Sequence, residues 1–275
     1  MADFKLADLK TLREQLGTGM VETKNALVEA GGDLEKATEL LRLRGAKNNA
    51  KRSDRSTSEG LIAAQDNGET TTLIELACET DFVAKSDKFI ALGNKVLAAV
   101  AAAGASTVEE GLHAELDGKS VSDIIGDEAA ILGEKIELRR IELLKGDHFA
   151  VYLHRTSQDL PPQVGVVVAY TGEDAEVARS IAQHISFANP AYVTREEVPA
   201  ADVENERRIV EEISRGEGKP EAALPKIIDG RLGAFYKQVA LLEQDYARDN
   251  KLTVKKVADT AGLTITGFVR FKVGA

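Results

Sequence analysis

Strand-like and helix-like stretches recur in one order, twice, between Leu61 and Val273, and this recurrence limits the architectures open to the chain more than any other feature. In the first copy, Leu61-Ile62-Ala63-Ala64 and Leu73-Ile74-Glu75-Leu76-Ala77-Cys78-Glu79 flank Asp66-Asn67-Gly68, a strong hairpin-turn signal. Side chains alternate along a strand, so Ile74, Leu76 and Cys78 share one face and Glu75 takes the other. A helix follows with Phe89, Leu92, Val96 and Val100 as its buried stripe. After a variable segment, Ser120 can cap a short helix through Val121, Ile124 and Ile125, and Ile136-Glu137-Leu138 alternates as a third strand. In the second copy, residues 149–153 and 164–170 read as a hairpin with Pro161-Pro162 in its longer loop, and Val177, Ile181 and Ile185 form a helix stripe. Thr253 can cap a short helix through Val254 and Val257, and Ile265, Val269, Phe271 and Val273 alternate as a closing strand. The predicted class is α+β, with two related subdomains that each pack a small antiparallel sheet under helices.

Three further segments fall outside this plan. The first 45 residues read as three short helices. Phe4, Leu9, Leu12 and Leu16 stripe the first, Gly17-Thr18-Gly19 breaks it, and Met20, Ala26, Leu27 and Ala30 belong to the second, which stops at Gly31-Gly32. Asp33 can cap the third, where Leu34, Ala37, Leu40 and Leu41 recur before Gly45 ends it. So small a bundle has a thin core, which leaves apolar surface for a partner. Residues 46–60 form a basic linker carrying Lys47, Lys51, Arg52 and Arg55, either solvated or set against an acidic surface or RNA. After Asn189-Pro190, Val203, Val210 and Ile213 line one helical arm, and Leu224, Ile228, Leu232, Phe235 and Val239 line another. Gly216-Glu217-Gly218-Lys219-Pro220 must be the turn between them. Arms of about 20 residues would be roughly 30 Å long, as a strut or as an arm reaching a partner or dimer mate. The expected boundaries are 1–45 for the bundle, 46–60 for the linker, 61–144 for one core subdomain, 145–190 with 241–275 for the other, and 191–240 for the inserted hairpin.

A chain of 275 residues is near the upper limit for one core, in keeping with several domains. Its net charge of −10 gives nucleic acid no global attraction, and five Tyr, eight Phe and no Trp make base stacking a poor main activity. Cys78 is the only cysteine, which points to a reducing, cytoplasmic setting and to a small buried side chain rather than a reactive one. No run reaches transmembrane length, and Met1-Ala2-Asp3-Phe4-Lys5 lacks the pattern of a secretion signal.

Familiar catalytic patterns do not occur. Neither glycine-rich stretch meets the spacing of a P-loop or a dinucleotide fingerprint, and Lys219 precedes Pro220 where a P-loop needs Ser or Thr. His113, His148, His154 and His184 show no metal-ligand spacing, and one cysteine cannot complete a zinc site. No Gly-x-Ser-x-Gly elbow precedes a helix. These residues predict a non-enzymatic, acidic, multi-domain interaction protein without cofactor or metal.

One junction stands apart. Thr80-Asp81-Phe82-Val83 sits where a strand ends and a helix begins, a common place for exposed functional groups. In one reading Thr80 or Asp81 caps the helix and Phe82 staples it to the core. In the other, Asp81 and Phe82 are pushed into another protein. Spacing alone favours the first.

Several motifs in order resemble the bacterial translation elongation factor Ts family, the nucleotide-exchange factors of elongation factor Tu. They are Leu12-Arg13, Gly17-Thr18-Gly19-Met20 and Lys24-Asn25-Ala26-Leu27 near the start, then Thr80-Asp81-Phe82-Val83-Ala84, the most specific. Tyr152-Leu153-His154, Gly165-Val166-Val167-Val168 and Thr266-Gly267-Phe268-Val269-Arg270-Phe271 follow. The resemblance covers nearly the whole chain. It implies a ubiquitin-associated-like N-terminal bundle, a core of two subdomains and an inserted coiled-coil hairpin. It also implies that Thr80, Asp81, Phe82 and Val83 disturb magnesium and nucleotide binding in the partner, and that Arg13 and Met20 touch the partner's GTP-binding domain. His154 is a lesser contact, since the family often has Gly where Arg155 stands. Some relatives lack the hairpin and dimerise, so this chain is expected in a one-to-one complex with GDP-bound or nucleotide-free elongation factor Tu, away from membranes and nucleic acid. With this resemblance Phe82 moves to the front, Asp81 second, and Thr80 and Val83 shape the turn. The alternative is an RNA- or ribosome-associated protein using the linker and hairpin.

Overall fold

The computed structural model describes residues 4–16 and 18–275; the Met1-Ala2-Asp3 start and the Gly17 part of the first helix break lie outside the described residues. Helices α1 (Leu6–Leu16), α2 (Met20–Glu29) and α3 (Leu34–Ala50) close on Leu9, Leu12, Ala26, Leu27, Ala37 and Leu41. Asp33 caps α3, its carboxylate accepting from the Glu35 and Lys36 amides at 3.0 and 3.1 Å. Met20 and Leu34, expected in the apolar stripes, instead stand exposed.

The third helix does not end at Gly45. It continues to Ala50 because α7 (Val121–Leu132) packs along it, and a Cβ on Gly45 would lie 3.0 Å from the Ala130 Cβ. That close approach outweighs the low helix propensity of glycine. The basic stretch beyond is tied down: Asn49 donates to the Gly126 carbonyl at 2.8 Å, Arg52 bonds Asn49 at 3.1 Å, and Arg55 reaches Glu79 at 3.2 Å.

The core holds two three-stranded antiparallel sheets of matching topology. The first contains β1 (Glu59–Asp66), β2 (Thr70–Cys78) and β5 (Ile136–Lys145), with β2 central. Between β2 and β5 come α4 (Asp81–Ala84), α5 (Asp87–Ala103), α6 (Val108–His113), the short ladder of β3 (Glu115–Leu116) and β4 (Lys119–Ser120), and α7. The second contains β6 (His148–His154), β7 (Val164–Thr171) and β10 (Thr264–Lys272), with β7 central. Between β7 and β10 come α8 (Ala175–Ala188), the inserted α9 (Ala200–Gly216) and α10 (Leu224–Val239), the ladder of β8 (Asp245–Tyr246) and β9 (Asp249–Thr253), and α11 (Val254–Thr260). The recurrence reaches single hydrogen bonds. Ser120 caps α7 and the Val121 amide donates to the Ala114 carbonyl at 2.8 Å; Thr253 caps α11 and the Val254 amide donates to Gln244 at 3.0 Å.

The sheets are not simply covered by helices. Ile74, Leu76 and Cys78 face Phe89, Leu92, Val96 and Val100 of α5, and Val166, Val168 and Tyr170 face Ile181 and Ile185 of α8. The opposite faces pack on each other, joining Ile62 and Leu73 to Val167 and Phe271. The order is therefore helices, sheet, sheet, helices, which explains why both faces of β2 and β7 are buried. Gly165 permits the approach, since a Cβ there would lie 2.3 Å from Ile62 Cγ2. A bulge between Ile265 and Gly267 switches faces along β10, sending Ile265 to the helix side and Val269 and Phe271 between the sheets. The plain alternation expected for the closing strand is interrupted there.

Glu75 is fully buried on the sheet–sheet side. Arg140 pairs with it at 2.5 Å, Arg139 lies 3.5 Å away, and the Gly274 amide donates to it at 3.3 Å. A bulge opposite Glu75 and Leu76 lets both adjacent arginines reach one carboxylate. Arg140 also donates to the Lys272 carbonyl at 2.7 Å and lies 4.4 Å from the centre of the Phe271 ring, so one guanidinium joins both sheets.

Helices α9 and α10, 17 and 16 residues long, are shorter than expected, about 25 Å each. Their seam is Val210 against Leu224, Ile228, Leu232 and Tyr236, at spacings of four that put Tyr236 where Phe235 is expected. Ser214, not Ile213, completes it on α9, its hydroxyl donating to the Val210 carbonyl at 2.6 Å while Ile213 is exposed. Among the described residues no helix is long and apolar enough to cross a membrane.

Candidate functional site

The turn after β2 combines the two readings of its sequence. The Thr80 hydroxyl caps α4 by accepting from the Val83 amide at 3.3 Å, as the capping reading requires. The staple it proposed is absent. Phe82 is 74% exposed, while Ala84 is buried and Val83 packs against the core under α5. One helical turn cannot point four successive side chains the same way, so anchoring Val83 and Ala84 leaves Asp81 and Phe82 outside. The Ser86 hydroxyl donates to the Val83 carbonyl at 2.8 Å and accepts from the Phe89 amide at 3.3 Å, locking the exit into α5.

Asp81 and Phe82 share one cation. Lys85 Nζ lies 3.3 Å from Asp81 Oδ2 and 4.5 Å from the centre of the Phe82 ring. Beneath the turn, the Glu134 carboxylate accepts from the Glu79 and Thr80 amides, both at 3.1 Å, and from the Thr80 hydroxyl at 2.5 Å. The Cys78 thiol, next along, is pushed up to about 12 by burial, reinforced by the charges of Glu134 and Glu59, so it is inert as a nucleophile.

The other predicted residues stand elsewhere. Arg13 is exposed in the last turn of α1, and Met20 opens α2 at 57% exposure beside the exposed Val21. His154 ends β6, its Nδ1 3.1 Å from the Tyr152 hydroxyl and its ring stacked on Tyr152 at 6.0 Å. Among the described residues none of these three shares a hydrogen bond, ion pair or ring contact with the 80–83 turn. The structure thus unites Thr80, Asp81, Phe82 and Val83 in one element and adds two residues that the sequence reading did not single out. Lys85 was legible as the i+4 partner of Asp81. Glu134 was not, because it is 54 positions from Thr80 and meets it only through the β2–β5 pairing.

Glu137 nearby illustrates how the linker binds this edge. Burial would raise its carboxyl, but hydrogen bonds from Thr57, Arg139 and Lys135 outweigh that and hold it at about 2. It remains an anion under the segment leading into β1. No three His, Cys, Asp or Glu side chains gather in a metal-binding group among the described residues.

Comparison with known proteins follows the same lines. Residues 79–275 match the family model described as elongation factor TS, so the match begins at the turn itself. The chain is 71% identical over 276 residues to elongation factor Ts of Leifsonia xyli, with all of both chains covered. It is 70% identical to that of Clavibacter michiganensis and 52% identical to that of Tropheryma whipplei, again over the full length of both chains. A family model spanning most of the chain, joined to full-length relatives at this identity, shows that the chain belongs to the elongation factor Ts family.

Proposed function

We propose that the chain is a guanine-nucleotide exchange factor: it binds elongation factor Tu·GDP, disturbs the magnesium site there and speeds GDP release so that GTP can bind during translation elongation. Family membership supports the activity. The observation that carries the mechanism is an aromatic side chain left 74% exposed on a turn whose neighbours are anchored. A GTPase holds GDP through backbone donors, a lysine and a magnesium ion. Phe82 enters an apolar pocket beside that ion and displaces the groups that hold its water shell. Asp81 assists by hydrogen bonding or by repelling nearby anions. No covalent bond is made or broken in this process.

A thousandfold acceleration requires about 4 kcal/mol off the barrier. Burying one Phe supplies roughly 1.5–3 kcal/mol. Further contacts must therefore hold the strained complex. The N-terminal helices serve as a ubiquitin-associated-like partner-binding bundle, with Arg13 and exposed Met20 against the GTP-binding domain. The second subdomain contributes His154, and α9 with α10 forms a coiled-coil arm. The complex is one-to-one and works in the cytoplasm. Linkage then requires nucleotide to weaken factor binding by the ratio in which the factor weakens nucleotide binding, so GTP expels the factor. The internal bonds of Arg52 and Arg55 count against the RNA-binding alternative.

The test is stopped-flow release of fluorescent GDP from elongation factor Tu at saturating factor. Phe82→Ala, folded by circular dichroism, should release GDP at least about tenfold more slowly than wild type. Wild-type release by that variant would sink the role of Phe82.

A further inference from the structure

We infer that Glu134 is a positioning residue for the exchange turn, acting through Thr80 to hold Phe82 outward; this rests on the reading of Phe82 given above. The β2–β5 ladder ends at the pair Cys78 and Ile136. Beyond it the amides of Glu79, Thr80 and Lys135 have no ladder partner, and buried or half-buried amides must find one. Two carboxylates supply it reciprocally. Glu134, from the β5 side, accepts from Glu79 and Thr80 of the β2 side, both at 3.1 Å. Glu79, from the β2 side, accepts from the Lys135 amide at 2.6 Å.

The brace reaches the cap of α4 through one proton. The Thr80 hydroxyl donates to Glu134 at 2.5 Å, which leaves its lone pairs for the Val83 amide at 3.3 Å. Glu134 thus sets the direction of the hydroxyl that starts the one-turn helix. Phe82 is exposed and its ring meets Lys85 of the same segment, so the orientation of the turn decides where the ring points. The brace is closed from outside by the linker: Arg55 pairs with Glu79 at 3.2 Å, and Lys135 Nζ donates to the Arg55 carbonyl at 3.2 Å. The segment joining the N-terminal helices to β1 is therefore bonded directly to the support of the turn.

The experiment measures maximal GDP release from elongation factor Tu, using the full chain as wild type, Glu134→Ala, Glu134→Gln, Phe82→Ala and the double Phe82→Ala/Glu134→Ala. Glu134→Ala is expected to slow saturated release about tenfold, because a small displacement of a positioned group costs this much or more. Glu134→Gln keeps an oxygen for the two amides but turns an N–H toward the Thr80 hydroxyl in place of its acceptor, so its release should stay slower than wild type. The double variant should release GDP at the rate of Phe82→Ala alone, since a residue acting only through Phe82 has nothing left to position. Slow release by Phe82→Ala with wild-type release by Glu134→Ala would overturn the assignment of Glu134 and leave Phe82 in place. So would a double variant slower than Phe82→Ala by the full factor of Glu134→Ala, or a Gln variant that releases GDP at the wild-type rate. Wild-type release by Phe82→Ala would instead remove the role of Phe82, and that of Glu134 with it.

Discussion

Lys85 lies over the face of the Phe82 ring, its ammonium 4.5 Å from the ring centre. Both side chains are on one exposed turn, and the same ammonium reaches Asp81 at 3.3 Å. An exposed cation–π contact is worth about 0.5–1 kcal/mol. A double-mutant cycle of Phe82→Ala and Lys85→Ala, read by urea denaturation, should therefore give a coupling of about 0.5 kcal/mol. Coupling indistinguishable from zero would show that the ring moves free of the ammonium in solution.

Arg140 presents a stronger case, because its partner is dry. Glu75 is fully buried between the sheets, and Arg140 also carries the Lys272 carbonyl and the Phe271 ring. Removing one member of a buried pair strands the other's charge, at a cost of about 3–5 kcal/mol. Arg140→Ala should fall near the lower end, since Arg139 remains 3.5 Å from Glu75. Arg140→Lys should recover only part of the loss, because a point charge cannot bridge a carboxylate and a carbonyl as a planar fork does. Equilibrium urea unfolding decides it; a loss below about 1 kcal/mol for Arg140→Ala would mean that water reaches the carboxylate.

These two arginines mark where sequence reasoning ran out. Period-two alternation correctly set Ile74, Leu76 and Cys78 against Glu75, and the recurring order of elements gave both sheets. It could not show that the Glu75 face meets another sheet, because strand alternation is the same whether a face meets helices or strands. Bulges defeat the method in a different way. The one in β10 sends Ile265 and Val269 to opposite sides although both have odd numbers. At Gly45 a local rule was read correctly but tertiary contact with Ala130 prevailed. At the candidate site, the Thr80 cap was legible from residue type, whereas the exposure of Phe82 was not, since a staple and a probe have the same local pattern.

His184 gives the fold an acid-sensitive point at the base of the inserted helices. The Ala247 amide donates to its Nδ1 at 3.1 Å, so Nε2 carries the proton and donates to Gln244 Oε1 at 2.8 Å. Burial pushes the imidazole below its ordinary 6.5, and the Gln244 bond only partly opposes this. The unfolded chain therefore binds a proton that the native state resists, and stability falls as pH drops below 6.5 toward the lowered native value. The melting temperature should decline between about pH 7.5 and about pH 5.5, and His184→Gln should flatten that decline. An unchanged slope in the Gln variant would assign the titration to another group.

Gly45 tests how the first three helices are held. A Cβ there already meets Ala130 at 3.0 Å, so Gly45→Leu must part α3 from α7. Overpacking of this kind costs about 1–3 kcal/mol. Limited proteolysis should cut the variant more rapidly within residues 51–58, where wild type is held by Arg52 and Arg55. Equal cleavage rates would mean that the hydrogen bonds of the segment, rather than the α3–α7 contact, hold the bundle in place.

The inserted helices have a core of their own, and that permits their removal. Val210, Leu224, Ile228 and Leu232 pack with Tyr236 and belong to neither sheet's core. The base is stitched separately: the Ala191 amide donates to Val239 at 2.8 Å, and the Leu241 and Leu242 amides donate to Tyr192 and Val193 at 2.8 and 3.1 Å. Arg195 adds a pair to Glu243 at 2.7 Å and lies 4.3 Å from the centre of the Tyr236 ring. Replacing residues 200–235 with a short Gly/Ser loop keeps all of these and removes only the arm. The shortened chain should fold with a melting temperature close to wild type, because the deleted seam supports nothing beneath it. Light scattering then separates an arm that binds another protein from one that joins copies of this chain. The fall in mass should equal that of the deleted residues if the wild type is monomeric, whereas a halving of the assembly would make the arm a dimer contact.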